Sequence, residues 1–394
     1  MAGVTVGIVS IPQAMAFSLL AGMPPIYGLY GALIPPLVYA FLGTSAFLNV
    51  GPVSVISIFA YTIVAPMYPP FSAEYIHVLI QLGLLVGLIQ CIAGLAGVGK
   101  YISLLPESVI SGFIQAAAVV IIVSQLSVGF GITLSNHSSL LDTFILLVQQ
   151  AQDFHVFSSV LFVGALAVLF LGKHFFPHFP TTIVLLVFTG ICAFWYDWEG
   201  QDVLLIGEVP QGLPRIILPQ FSWSLFTLLP GALGLAFIAT VGSYVMAKTL
   251  EDKQSTPYVA NHDFMALGAS KIIASLFGAL LSAGSFNRSI LNLKLGATSQ
   301  YASLFSALMV GLTLVFFTPL VYFLPQPVIA AIIVYSAFFL FDFSALPVYW
   351  KNDKKQLMYF TGTVAITLGV GFVEGIFSGI TMVVLGRFFS SQPS

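Results

Sequence analysis

Long runs of uncharged, apolar residues separated by short polar loops dominate this chain of 394 residues. Only 7% of the residues are charged and 58% are hydrophobic, whereas about a quarter are charged in soluble proteins. A soluble protein of this composition would have too few polar groups to cover its surface, so lipid is the expected solvent. In lipid, helices satisfy their own backbone hydrogen bonds. The sequence therefore predicts an all-α polytopic membrane protein.

Fourteen apolar runs are candidate transmembrane segments of about 20 residues or somewhat fewer. They lie at 4–22, 27–43, 52–66, 76–97, 106–127, 156–172, 180–196, 224–248, 264–281, 286–296, 302–318, 326–341, 357–371 and 374–389. One further stretch, 138–152, is partly amphipathic and is predicted to lie at the membrane interface.

The loop charges indicate an orientation. Nine of the twelve basic residues fall in one set of alternate loops and the C-terminal tail, whereas the other set is mostly acidic. The nine are Lys100, Lys173, Lys248, Lys253, Lys294, Lys351, Lys354, Lys355 and Arg387. By the positive-inside rule, both termini are predicted to be cytoplasmic, in a plasma membrane or a bacterial inner membrane.

The chain divides into two halves, 1–197 and 224–394, joined by a polar, extracytoplasmic connector at 198–223. Each half contains seven runs. Because seven is odd, the second half enters the membrane with the opposite orientation. This arrangement predicts a 7+7 inverted repeat, which is common in secondary transporters.

The third run of each half is too short to cross a bilayer. The first short run opens at Gly51-Pro52-Val53-Ser54 and the second at Gly284, followed by Ser285. Two short segments in matching positions point to a binding site at the membrane midplane. Opposed helix N-termini would offer free amides and partial positive charge there, and glycine would allow close approach of a ligand to the backbone. These features predict an anion site.

Arg288 lies at the start of the second short run and adds a permanent positive charge. Such a group inside a membrane is either functional or paired with an acid. The sequence offers no obvious acid within the membrane, because Glu107 and Glu374 both lie near predicted helix ends. Lys271 could line a cavity or extend its side chain to the interface. Gln13 follows Pro12 and could repair the broken helix or face the ligand, and Phe17, one turn later, is by default a packing residue.

Several other functions lack the residues they need. The net charge of −2 and the absence of a basic block exclude nucleic-acid binding. Gly94–Tyr101 is similar to a phosphate-binding loop, but Tyr101 replaces the required Ser or Thr. His174 and His178 have no third metal ligand nearby in the sequence. No catalytic constellation is recognisable, so we predict neither an enzyme, a metal site nor a cofactor.

Motifs along nearly the whole chain resemble those of the SulP (sulfate permease) transporters, in the order found in that family. They are Val6–Phe17, Pro24–Tyr30, Gly43-Thr44-Ser45, Gly51-Pro52-Val53, Leu105–Val109, Ala247-Lys248, Ala266-Leu267-Gly268 and Ser285–Ser289. The first of these motifs is highly specific.

The resemblance implies a core domain of helices 1–4 and 8–11, and a gate domain of helices 5–7 and 12–14. It also implies an elevator-like motion and a homodimer. By similarity, the anion would bind residues from helix 1, from the start of helix 3 and from helix 10. These residues are Gln13, Phe17, Val53, Ser54, Asn287 and Arg288.

The chain departs from the family pattern in several places. Gly242 replaces an acid linked to proton coupling in many bacterial relatives, which favours anion exchange or uniport over proton symport. Asn287 replaces a serine, and Ala46-Phe47 replaces an Arg-His pair. The cytoplasmic STAS domain and the usual N-terminal segment are not found in this sequence, which suggests trimming of a longer protein.

Three functions remain open from the sequence. The first is secondary transport of a small anion such as sulfate, bicarbonate, chloride or a dicarboxylate, with H+, Na+ or a counter-anion as the coupling ion. The second is a nucleobase permease of the same architecture, which would favour carboxylates in helices 8 and 10. The third is a channel or a voltage-responsive motor, which this family's fold can also become.

Overall fold

The computed structural model describes most of the chain. The described residues are 2–102, 106–132, 145–146, 149–150, 154–176, 179, 181–207, 209–217, 224–254, 258–341 and 346–390. Most of the predicted interfacial segment 138–152, and residues 208 and 218–223 of the connector, lie outside these ranges.

Within the described residues, one principal helix overlaps each of the fourteen predicted runs. These helices are α1 Ala2–Leu20, α2 Pro25–Leu42, α3 Ser54–Val64, α4 Ala73–Leu95, α5 Glu107–Phe130, α6 Val156–Phe175, α7 Thr181–Trp195, α8 Ser224–Gln254, α9 Ala260–Leu276, α10 Phe286–Lys294, α11 Tyr301–Leu312, α12 Gln326–Phe338, α13 Lys354–Gly369 and α14 Phe372–Ser390. The all-α polytopic fold predicted from the sequence is confirmed.

Shorter elements connect the principal helices. They are the strands β1 Val50–Gly51 and β2 Ala283–Gly284, the helical turns Gly99–Ile102, Glu199–Gln201 and Leu346–Asn352, and the π-helical turn Thr313–Phe317, which continues α11 into Thr318–Val321.

Six helices of the described chain are long and apolar enough to cross a bilayer by length and composition alone. They are α1, α2, α4, α5, α6 and residues Phe226–Lys248 of α8. The two helices predicted to be short, α3 and α10, have 11 and 9 residues. At 1.5 Å per residue, α3 is about 16 Å long, roughly half the hydrocarbon thickness. Both short helices occur where the sequence predicted them.

Helix packing follows the inverted repeat. α1 packs along α11, and the equivalent helix of the second half, α8, packs along α4. In the same way, the pair α2–α11 matches α9–α4, and the pair α5–α13 matches α12–α6. In each case, replacing both helices of a pair by their equivalents in the other half gives a second pair that is also in contact. These contacts confirm the repeat inferred from the run count.

The helices form two groups. α1, α2, α4, α8, α9 and α11 pack closely with one another and enclose α3 and α10, whereas α5, α6, α7, α12, α13 and α14 pack together beside them. Smaller contacts, such as α1–α12, α3–α5 and α8–α14, join the two groups. These groups correspond to the expected core and gate domains.

Small residues bring α4 and α9 close together inside the core group. A Cβ added to Gly268 would lie 2.6 Å from the carbonyl oxygen of Gly87, and a Cβ added to Gly87 would lie 2.8 Å from the carbonyl oxygen of Gly268. Helices that lack a hydrophobic driving force between them rely on such close packing. The contact joins the first repeat to the second.

Two buried carboxylates of the second repeat hold the loop between α2 and β1. Asp263 accepts hydrogen bonds from the Tyr39 hydroxyl at 2.5 Å, the Thr44 amide at 3.0 Å and the Tyr258 hydroxyl at 3.1 Å. Burial and the neighbouring Asp263 charge raise the pKa of Tyr258, so its hydroxyl stays a donor at neutral pH. Glu251 accepts from the Ser45 hydroxyl at 2.6 Å. This clasp positions β1.

Candidate functional site

The two short strands place the starts of α3 and α10 next to each other. β1 and β2 pair antiparallel, with Val50 opposite Gly284 and Gly51 opposite Ala283. Each strand leads directly into a short helix, α3 from β1 and α10 from β2. The two half-helices from opposite repeats therefore meet, as the sequence predicted.

Neither helix start is closed by its own N-cap side chain. Val53 caps α3 and Ser285 caps α10, both with extended backbone and without a side-chain hydrogen bond to the first turn. A helix leaves its first amides without intrahelical partners, and its dipole places partial positive charge there. Both helix starts can therefore bind a negatively charged group.

The Arg288 side chain lies between these helix starts and is only 1% exposed. Its Nε donates to Asn49 Oδ1 at 2.7 Å, and its Nη2 donates to the Pro52 carbonyl oxygen at 3.0 Å. Its Nη1 makes a longer contact of 3.4 Å with Gln13 Oε1. Residues of α1, of the segment before α3 and of α10 thus meet at one guanidinium.

All three acceptors are uncharged. In the part of the chain that the structure describes, no carboxylate lies within ion-pair distance of Arg288. The alternative of a structural salt bridge with an acid therefore has no support. An ionised group buried without a counter-charge costs several kcal/mol, and a bound anion would offset that cost.

The two glycines at the strands have a different role from the one expected. A Cβ added to Gly51 would lie 2.9 Å from Nη2 of Arg288, and one added to Gly284 would lie 2.7 Å from Cδ1 of Leu48. These glycines leave room for protein side chains. The expectation that they leave space for a ligand is not supported by these contacts.

The other residues implied by the resemblance lie on the same three elements. Gln13 and Val53 are half-buried, and Ser54 is 8% exposed. Asn287 is exposed although it adjoins buried Arg288. Phe17 is buried in the main apolar core, one turn beyond Gln13, which fits its default role in packing.

The position of the missing acid lies close to the site. Ser243, next to Gly242 on α8, accepts a hydrogen bond from the Gly284 amide of β2 at 2.9 Å. Its hydroxyl donates to the Ala239 carbonyl at 2.6 Å. A Cβ added to Gly242 would have no atom within 4 Å. The structure therefore leaves room for a larger side chain at Gly242.

Of the two alternatives for Lys271, extension of its side chain to an interface does not occur in the structure. The side chain is 2% exposed, and its Nζ has no hydrogen-bond partner among the described residues. α9 packs against α2 and α4, and this packing encloses the amine. Among the described residues, no recorded hydrogen bond joins Lys271 to Arg288 or to its partners Asn49, Pro52 and Gln13.

Sequence reasoning missed Asn49 and Ser289. The Asn49 amide donates to Ser289 Oγ at 2.9 Å, in addition to the bond between Asn49 Oδ1 and Arg288. A signal was present, because Asn49 is a polar residue between Leu48 and Val50, two positions before the Gly-Pro start of the short run.

Comparison with known proteins gives a consistent result. A model of the sulfate permease family matches residues 1–363. "Sulfate transporter 4.1, chloroplastic" of Arabidopsis thaliana is 33% identical over 389 residues, which cover 96% of this chain and 56% of that protein. The chain therefore spans only about half the length of this curated relative.

Two solved structures share the fold. The murine Solute Carrier 26 family member A9 anion transporter in the inward-facing state superimposes with a TM-score of 0.95 at 25% identity, covering 100% of this chain and 68% of that one. The transmembrane domain of a cyanobacterium bicarbonate transporter, BicA, superimposes with a TM-score of 0.82 at 22% identity, covering 97% and 96%. The second likeness shows the fold alone.

Proposed function

Because the chain belongs to the sulfate permease family, we propose that it is a secondary transporter that moves a small anion across a membrane. Candidate substrates are sulfate, bicarbonate, chloride and dicarboxylates. The observation that carries this proposal is the buried Arg288 guanidinium, whose partners among the described residues are all uncharged oxygens, beside two helix starts without side-chain caps.

The anion would bind between α3 and α10. Arg288 supplies the full charge, and the first amides of the two helices, near Ser54 and Asn287, supply hydrogen-bond donors. Gln13 would offer its amide to the same anion, and Phe17 and Val53 would form apolar walls. A nucleobase would instead need carboxylate acceptors, and Asn287 and Gly242 are not acids.

The helix grouping supports an elevator-like motion. The site lies on α1, α3 and α10, all within the core group, and the most extensive helix contacts lie within the groups and not between them. In our proposal the core moves relative to the gate, the repeats are 1–197 and 224–394 with connector 198–223, and the protein works as a homodimer in the lipid bilayer.

Coupling by anion exchange or uniport is more consistent with the chain than proton symport. Gly242 provides no titratable group at the position where many bacterial relatives carry an acid. A counter-anion can use the same positive site, whereas H+ or Na+ would need a further group. We propose a plasma or bacterial inner membrane, with both termini cytoplasmic because most loop Lys and Arg residues lie on one side.

The proposal is tested by uptake of labelled sulfate, bicarbonate, chloride and oxalate into proteoliposomes that contain a counter-anion. We expect Arg288→Ala to abolish uptake, because the substitution removes the full charge of the site, and to retain a folded, monodisperse protein. Arg215→Ala is the matched control, because Arg215 is exposed in a loop.

Wild-type uptake by Arg288→Ala would show that the anion binds elsewhere. Absence of uptake of every tested anion by the wild-type protein, together with voltage-dependent charge movement, would instead favour a motor.

A further inference from the structure

Asn49 connects the first repeat to the start of α10 through three hydrogen bonds. Its Oδ1 accepts from Arg288 Nε at 2.7 Å, and its backbone amide donates to Ser289 Oγ at 2.9 Å. Its carbonyl oxygen accepts from the Ser285 amide at 2.9 Å. The residue is 2% exposed. Asn49 therefore fixes both the backbone and the charged side chain at this helix start.

The Arg288 guanidinium determines which way the Asn49 amide points. Nε–H is a donor, so only the amide oxygen can face it. This orientation leaves Asn49 Nδ2 buried and without a hydrogen-bond partner among the described residues. A buried donor without a partner is destabilising. The structure therefore keeps the hydrogen bond to Arg288 although it leaves the Asn49 NH2 group without a partner within the described chain.

An amide at this position has an electrostatic consequence. Asparagine and aspartate have nearly the same shape, and either could accept the Nε hydrogen bond. Aspartate would also form an ion pair with Arg288 and cancel most of the positive charge in the site. The amide satisfies the donor and leaves the charge in place.

The hydrogen bonds also show which edge of the guanidinium is available. Nε and Nη2 are held at 2.7 and 3.0 Å, whereas the one partner of Nη1 within the described part of the chain is Gln13, at 3.4 Å. Asn49 and Pro52 thus bind one side of the group. The Nη1 edge, near half-buried Gln13, is the part most readily given to a ligand.

We propose that Asn49 is a positioning residue that presents the Nη1 edge of Arg288 to the anion and keeps the guanidinium charge uncompensated. This inference rests on the proposed function, because it assigns a role within the same site. Asn49 acts through Arg288 and not on the anion directly.

The test is Asn49→Asp, with KM and Vmax for sulfate, bicarbonate and chloride measured in proteoliposomes at neutral pH. We expect KM to rise by about tenfold or more, because a unit charge within about 4 Å of Arg288 removes most of its attraction for an anion. Vmax and the thermal unfolding temperature should change little, because the new carboxylate is paired.

The matched control is Asn261→Asp. Asn261 Oδ1 accepts from the Gly99 amide at 2.9 Å, and a carboxylate oxygen can accept the same bond. The control adds the same charge to the chain at a position where the structure records no bond to Arg288. Its KM should remain that of the wild type.

The outcomes separate this inference from the proposed function. A wild-type KM in Asn49→Asp, with uptake lost in Arg288→Ala, overturns the role of Asn49 and leaves the anion site intact. Wild-type uptake in Arg288→Ala overturns the site itself. Should Asn49→Asp not fold, Asn49→Ser replaces it, since its shorter hydroxyl holds Nε less closely, and an unchanged KM there overturns the role of Asn49.

Discussion

At the residue scale, the surroundings of Arg288 decide what the site can bind. The Asn49 side chain and the Pro52 carbonyl satisfy two guanidinium nitrogens without supplying negative charge. The absence of a side chain at Gly51 lets the guanidinium lie against the backbone, because an added Cβ would approach Nη2 to 2.9 Å. The position of the Arg288 guanidinium therefore depends on Gly51 as well as on its hydrogen-bond partner Asn49.

Gly51→Ala should displace the guanidinium and reduce anion uptake by about tenfold or more, because small displacements of a binding group have large effects on function. The measurement is initial uptake rate in proteoliposomes at equal protein content. Gly164→Ala is the matched control, because a Cβ at that exposed position of α6 meets no atom within 4 Å. Equal rates for both variants would contradict the role of Gly51.

At the element scale, the short helices matter less for their length than for their starting points. The pairing of Val50 with Gly284 brings together two helix N-termini that are more than 200 residues apart in sequence. α8 passes beside β2, where the Ser243 hydroxyl accepts a hydrogen bond from the Gly284 amide. We therefore expect substitutions on α8 at this level to affect the site.

Gly242→Glu should make uptake depend on pH. At neutral pH the new carboxylate repels the anion and offsets the Arg288 charge, and burial near the site raises its pKa. Acidification neutralises the carboxylate, so uptake should rise as pH falls toward the raised pKa. The measurement is initial rate against pH.

Gly242→Gln is the uncharged control for that series and should show the flat profile of the wild type. A flat profile for Gly242→Glu as well would indicate that this position does not influence the site.

At the scale of the whole molecule, the two repeats are interlocked by buried polar contacts as well as by helix packing. Asp263, at the start of α9, holds the loop that leads from α2 to β1. The loop and the acid come from opposite repeats. The clasp therefore belongs to the core group and keeps the site together while that group moves in the proposed mechanism.

Asp263→Ala should lower the stability of the protein by about 1–3 kcal/mol, because it leaves the donors of buried Tyr39 and half-buried Thr44 without this acceptor. The measurement is thermal unfolding in detergent. Glu74→Ala, in the exposed first turn of α4, should change stability by no more than about 0.5 kcal/mol. An unchanged unfolding temperature for Asp263→Ala would show that the clasp is not structural.

The sequence by itself determined the class of fold, the positions of the fourteen helices and the presence of two short ones, because membrane burial imposes long apolar runs and makes their interruption conspicuous. It also singled out Arg288, since a permanent charge in such a run requires a reason. Local patterns cannot show which residues from distant segments meet.

Only the tertiary structure decided that Arg288 is held by Asn49 and Pro52, that Gly51 makes room for the guanidinium, and that Lys271 is enclosed between helices. These facts depend on the pairing of β1 with β2 and on the crossing of the two repeats. Contacts between residues some 240 positions apart arise from the packing of the whole chain, which no single segment encodes.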